Sequence, residues 1–199
     1  MIKLQSTGAV ATALLCYLLL ITCIYSCTRV EGGSAASQST IDSLQKELRQ
    51  YKEADSLSAM RLARFDTLDF DYYSHQQWDQ LAISHSDNIA VYYPDGGTTI
   101  GLNPQHIDAL KPMFVFAPDT KISTHPVRVA GGDWTAVIGV MDGTFSQPMP
   151  IGGGKTIPPT GRKFKLRMCT VGHWKGGKMI EEYLFWDNAA FMRQIGVGH

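Results

Sequence analysis

Lys155 and Thr156 follow three consecutive glycines in "PIGGGKTIPPTGR" (Pro150–Arg162), the side chains and the backbone freedom that a phosphate-cradling loop uses. The spacing does not complete that chemistry. A phosphate loop needs a glycine where Met149 stands, and a helix just beyond the lysine whose N-terminus meets the anion. Pro158 and Pro159 forbid the helix. The six histidines show no H-x-x-H or H-E-x-x-H spacing, so neither a metal site nor a cofactor is expected. No serine or cysteine sits in a nucleophile elbow. The acids left to consider are Glu181, Glu182 and Asp187 near the C-terminus. His85, Tyr93 and Asp95 flank an early strand, within reach of a pocket mouth, although turn chemistry explains Asp95 adequately. His173 sits near a Gly-Gly turn, His125 precedes Pro126 and reads as edge-exposed, and Trp134 reads as core or pocket wall.

The elements that must position these residues are legible in outline. The 199 residues are 44% hydrophobic, enough for one medium domain with a sizeable core, and 18 basic side chains balance 18 acidic ones. With no net charge there is no basic field to hold nucleic acid. Helical spacing of Ile41, Leu44, Leu48 and Tyr51 follows an S-x-x-D cap at Ser39, and a second apolar run spans Leu57 to Phe65. Ser74 to Gln77 repeats the capping pattern ahead of Trp78 and Leu81. "NIAVYYPDGGTTIG" is a strand ending in a turn, and "NPQHIDALKPMF" a helix with Asn103 as N-cap and Pro104 at its first position. From Lys121 the period switches to strands, in "KISTHPVRVA", "DWTAVIGVMDGTF", "RKFKLRMCTVGHW" and "KMIEEYLFWD", with "NAAFMRQIG" as a closing helix. Helices first and strands afterwards predict an α+β domain. Lys163, Lys165 and Arg167 read as a solvated outer face.

The N-terminus reads as an address. "GAVATALLCYLLLITCIYSC" follows Lys3 without a charge, as an export signal does. "IYSC" resembles a bacterial lipobox with Cys27 as the lipidated residue, and "LITC" ending at Cys23 competes with it. An uncleaved single-pass helix, since about 20 apolar residues span a bilayer, and an ordinary cleaved signal are the other readings. All three place the domain outside the cytoplasm, and lipidation places it in a bacterial cell envelope, facing the periplasm or the exterior. The predicted layout is a signal or anchor over 1–27, a flexible tether over 28–39, a helical stalk over 40–56 and a domain over 57–199. Only Cys169 falls within that domain, and it reads as a small core residue.

"GDWTAVIGVMDGTF" followed by "PPTGRKFKLRMCTVGHWKGGKMIEEYLFWDNAAFMRQIG" resembles the SnoaL-like polyketide cyclase or ester cyclase family, over most of Leu57 to Gly196. The resemblance implies the nuclear-transport-factor-2-like cone: a curved antiparallel sheet wrapped over helices, with a pocket at the open end. It also implies cofactor-free proton transfer next to a carbonyl, by a His and an Asp on the last two long strands. Thr170 and Leu184 stand at those two positions here. If both face the pocket, alternation sends Leu166, Met168, Glu182 and Trp186 to the same side. Glu182 is then the nearest acid, with a pKa raised by desolvation beside Trp186, unless it is solvated at the rim or paired with a positive charge. Asp187 matches a late family Asp and is equally placed to cap the last helix. The candidate set is therefore Glu182 and Asp187 for catalysis, with Tyr93, Trp134, Met168, Thr170, Leu184 and Trp186 around a small apolar or carbonyl-bearing ligand. Two functions follow: a cyclase- or isomerase-type enzyme, or a non-catalytic binding or homodimerisation module.

Overall fold

The computed structural model describes residues 30–197, with side chains from residue 35 onward. The readings at Cys23 and Cys27 lie outside these residues. Among the described residues no helix is long and apolar enough to cross a membrane.

The chain divides into two units, 1–52 and 53–199, a cut inside the span read as a stalk. In the first unit the described residues belong to helix α1 (Val30–Asp66), whose Ile41, Leu44, Leu48 and Tyr51 are solvent-exposed. The helix already runs through 30–39, where the sequence reads as a tether. The hydroxyls of Ser39 and Thr40 donate to the Ala36 carbonyl inside the helix, so Ser39 does not cap a new start.

In the second unit α1 tightens into a π-type turn, Thr67–Tyr73, with Phe65, Leu68 and Tyr73 buried. Ser74 closes this turn instead of opening the next helix: its hydroxyl donates to the Asp69 carbonyl at 2.6 Å and accepts the Ile122 amide at 2.8 Å. A 3₁₀ turn (Trp78–Ile83) leads into strand β1 (His85–Tyr92), which forms a hairpin with β2 (Thr98–Ile100). Asn103 has extended dihedrals ahead of Pro104, and the helical turn through His106 runs on as α2 (Ile107–Phe116). Strands β3 (Lys121–Gly131), β4 (Trp134–Thr144), β7 (Lys163–Lys175) and β8 (Lys178–Trp186) then form an antiparallel meander. Helix α3 (Asn188–Gln194) follows. The curved six-stranded sheet has the order β2-β1-β8-β7-β4-β3, and its one parallel pair is β1 beside β8.

The opening glycine run tips a separate two-stranded ribbon, β5 (Met149–Pro150) with β6 (Thr156–Ile157). Gly152, Gly153 and Gly154 all carry positive φ (85°, 59° and 72°), which is why the tip is glycine and not because it meets an anion.

Arg61 fastens α1 to two sheet turns. Its buried guanidinium donates to the Gly132 carbonyl (2.5 Å), the Gly176 carbonyl (3.1 Å) and Asp133 Oδ1 (2.9 Å). Two apolar clusters form the core, one around Phe65, Ile89 and Trp174, the other around Phe116, Phe164 and Phe191; Met168 and Trp186 pack against both.

Candidate functional site

The pairing of β7 with β8 places Met168 opposite Trp186, Thr170 opposite Leu184 and Gly172 opposite Glu182. Pleating sends all of these to the inner face. There they border a cavity of about 330 Å³ whose apolar wall includes Leu110, Met113, Phe116, Met141, Leu166 and Phe191. Tyr93, Met168, Thr170, Leu184 and Trp186 line it, as does Glu182.

Glu182 is 5% exposed, and two imidazoles converge on it. His85 Nε2 and His106 Nε2 each stand 3.6 Å from Glu182 Oε2. Three separate elements bring them there: His85 opens β1, His106 ends the turn before α2, and Glu182 lies mid-β8. The far nitrogen of each ring is tied back. His85 Nδ1 lies 3.1 Å from the Leu81 carbonyl, to which it can only donate, and 3.1 Å from the Ser84 hydroxyl. His106 Nδ1 lies 2.9 Å from the Tyr93 hydroxyl. His85 Nε2 and Glu182 Oε2 are buried and have no hydrogen-bond partner among the described residues.

Burial pushes the Glu182 pKa up, but the imidazoles of His85 and, next, His106 outweigh it and hold the carboxyl below its usual range. The raised value expected from desolvation beside Trp186 is thereby corrected: the acid has partners that the sequence did not place. At 3.6 Å the contact is electrostatic and not a formed hydrogen bond. His106 is lowered to about 4, chiefly by burial, with Glu182 opposing the shift.

A second polar group enters the cavity from the helical side. Asp69, in the π-type turn, lines it and holds His125 Nε2 at 2.8 Å through Oδ2. His125 Nδ1 lies 2.7 Å from Asp66 Oδ1, and Arg128 pairs with the other Asp66 oxygen. Both ring nitrogens of His125 thus face carboxylate oxygens, so both must donate. Burial opposes its charge, but Asp69 and Asp66 together raise the pKa. Burial likewise raises the Asp69 pKa, against the His125 hydrogen bond. The sequence placed His125 at an exposed edge. Instead, register shifts in β3 between Ile122 and Val127 turn its ring inward, 4.4 Å from that of Phe70, and the side chain is 2% exposed.

Other expected site residues lie elsewhere. Asp187 caps α3, accepting the Ala190 amide at 2.8 Å, and does not line the cavity; an N-cap side chain turns back onto its own helix. Trp134 is 44% exposed on the outer face, where its ring stacks on that of His173 at 4.2 Å. Its parity is opposite to that of the buried Thr135 and Val137. His173 in turn holds Glu181 at 2.7 Å. Asp95 makes a turn bond to the Gly97 amide, Lys163, Lys165 and Arg167 are exposed, and Cys169 is half-buried. His106 and Asp69 were not singled out in the sequence. Asp69 did carry a signal, an acid on the apolar helical stripe of Leu62, Phe65 and Tyr73.

Residues 65–195 match the family model for the SnoaL-like polyketide cyclase. Among solved structures the fold is similar to a SnoaL-like protein of Jannaschia sp. CCS1, at 18% identity over 72% of this chain and 96% of that one, with a TM-score of 0.59. It is also similar to a SnoaL-like polyketide cyclase of Agrobacterium tumefaciens (23% identity, 70% and 98% covered, TM-score 0.51). An NTF2-like protein of Burkholderia pseudomallei aligns at 14% identity over 69% of this chain and 98% of that one, with a TM-score of 0.54. No curated protein sequence matches the chain.

Proposed function

The chain belongs to the SnoaL-like polyketide cyclase family, and from that membership and the geometry of its cavity we propose an enzyme of the cyclase or isomerase type that moves a proton on a small, mostly apolar, carbonyl-bearing molecule. The observation that carries this reading is Asp69: a carboxyl at the wall of a largely apolar cavity, with His125 behind it and Asp66 behind His125. A pKa raised toward the working pH is what a proton carrier needs, because a carboxylate that holds its proton too weakly is a poor base. Glu182, held below its usual range, is the weaker base of the two. The Glu182–His85–His106 cluster serves instead as the polar end of the cavity, against which the ligand is oriented while Asp69 takes the proton from the carbon next to the carbonyl.

His125, donating from both ring nitrogens to Asp69 and Asp66, holds the Asp69 carboxyl in orientation from behind. Tyr93 supports the arrangement by holding His106 in orientation. Apolar contacts with Leu110, Phe116 and Leu166 would carry most of the ligand's binding, as in small-molecule sites generally. We place the domain in a bacterial cell envelope, attached through Cys27.

Exchange of solvent deuterium into a panel of β-keto esters and cyclic 1,3-diketones tests the reaction directly. The wild-type protein should accelerate exchange at the acidic carbon, and Asp69→Asn should lower that acceleration by about 100-fold or more. The same variant should still take up an environment-sensitive apolar dye. Dye binding by wild type with no acceleration of exchange would leave a binding module, a reading supported by Thr170 and Leu184 lining the cavity where the family resemblance implies a His and an Asp.

A further inference from the structure

The atoms His85 Nε2, His106 Nε2 and Glu182 Oε2 all lie within 4.8 Å of one another, on side chains that are each more than nine-tenths buried. The arrangement of protons around them is constrained. His85 Nδ1 faces a backbone carbonyl and must carry a hydrogen, so in the neutral ring Nε2 presents a lone pair. That lone pair is aimed at a carboxylate oxygen, and neither atom has another partner among the described residues. Two acceptors facing each other in a buried site repel unless something positive stands between them.

Distance separates the two candidates for that charge. A proton shared between an imidazole and a carboxylate draws the heavy atoms to about 2.7–2.9 Å. Here both imidazoles stand at 3.6 Å from the same oxygen. Donor atoms bound at about 2.0–2.1 Å to one tetrahedral ion lie roughly 3.3–3.4 Å apart. The observed spacing is nearer the second figure than the first. The surroundings also fit. Both rings present Nε2 inward and are held from behind at Nδ1, by the Leu81 carbonyl and the Tyr93 hydroxyl, as metal-bound imidazoles usually are.

We propose that His85, His106 and Glu182 bind a divalent transition-metal ion, zinc being the best match to a two-imidazole, one-carboxylate set, with its fourth position open to the cavity. The inference deepens the proton-transfer reading, because it names what supplies the positive charge at the polar end of the cavity. In the open position the ion would take a carbonyl oxygen of the ligand and polarise it, while proton movement remains with Asp69. The histidine-spacing argument misses such a site because it finds ligands one helical turn apart, whereas these come from three separate elements.

The full-length chain, purified in detergent, stripped with chelator and titrated with zinc or cobalt(II), provides the test. One ion per chain is expected by mass spectrometry of the dialysed protein. His106→Asn and Glu182→Gln should each weaken binding by about 100-fold or more, Tyr93→Phe by about 10-fold, and His75→Asn, at an exposed position, not at all. The cobalt form of the wild type gives a reading that needs no variant to fold: two hyperfine-shifted imidazole N–H signals, from the Nδ1 protons of His85 and His106. Failure of the stripped wild type to bind either ion, or unaltered binding in both His106→Asn and Glu182→Gln, would overturn the site. Deuterium exchange that survives metal stripping and still depends on Asp69 would uphold the proton-transfer reading without the ion; metal binding without exchange would do the reverse.

Discussion

His125 sits with a carboxylate at each ring nitrogen. Asp66 and Asp69 face it from the end of α1 and the turn that follows, and Arg128, from its own strand, faces it only through Asp66. Its pKa is raised in the folded state, and so is that of Asp69. Both groups bind protons more tightly when folded, so both contribute stability that is complete below their unfolded pKa values. That stability is lost as pH rises through the folded values. Thermal melts from pH 5.5 to 8.5 should therefore show the wild type losing its advantage over His125→Gln as the pH climbs. An advantage that is constant or grows with pH would contradict the ion cluster. The same residue shows where sequence reading ends. Strict alternation along β3 carries His125 outward, and only the register shift beside Pro126 turns it in, a property of pairing with β4 that no single strand displays. His106 was hidden differently. It sits in a helical turn after Pro104, where a buried histidine and an exposed one are written alike.

Strands β7 and β8 carry more of the site than any other elements, and their inner faces were legible in advance. Met168, Thr170, Glu182, Leu184 and Trp186 share one side because period-2 alternation holds through both strands as far as Gly172 and Glu182; the one irregularity lies beyond, between His173 and Trp174. The extent of Glu182's burial was not legible, because β1 and the turn before α2, which bring the histidines, come from earlier in the chain. Gly172 holds the crowded end of this pair. A Cβ there would lie 2.6 Å from Met179 Sδ and 2.9 Å from Thr135 Oγ1, with Trp174 Nε1 at 3.0 Å. Trp174 and Met179 are fully buried, and Trp174 already donates to the Thr135 hydroxyl at 2.8 Å, so they have little room to yield. Gly172→Ala should cost about 1–3 kcal/mol in denaturant unfolding. Gly131→Ala, with nothing near its Cβ position, provides the matched control. Equal stability of the two variants would show that the packing around Trp174 is looser than the structure describes.

At the scale of the whole molecule, the family and the α+β architecture followed from motifs such as "PPTGR" and "GDW", because these mark turns and strand starts that the fold places in a fixed order. The proposed attachment through Cys27 is a separate matter, resting on the sequence before residue 30 and on nothing in the domain. Cys27→Ser should release the protein from washed membranes or leave the unprocessed chain, detected by fractionation and by intact mass. Retention and normal processing of Cys27→Ser, with loss in Cys23→Ser, would move the attachment point upstream.

The parallel contact between β1 and β8 joins Val91 to Glu182, about ninety residues further along the chain. Closing so long a loop carries an entropic cost that local hairpins avoid, so the β3–β4 and β7–β8 hairpins have shorter loops to close before β1 can dock. His85 meets Glu182 only through that last contact. A chain still leaving the ribosome, or one cut before β8, therefore holds α1, α2 and most of the strands, with Asp69 and His125 among them, but lacks Glu182 and α3. The two polar groups of the cavity thus differ in what they require of the chain: one is complete by β3, the other waits for β8.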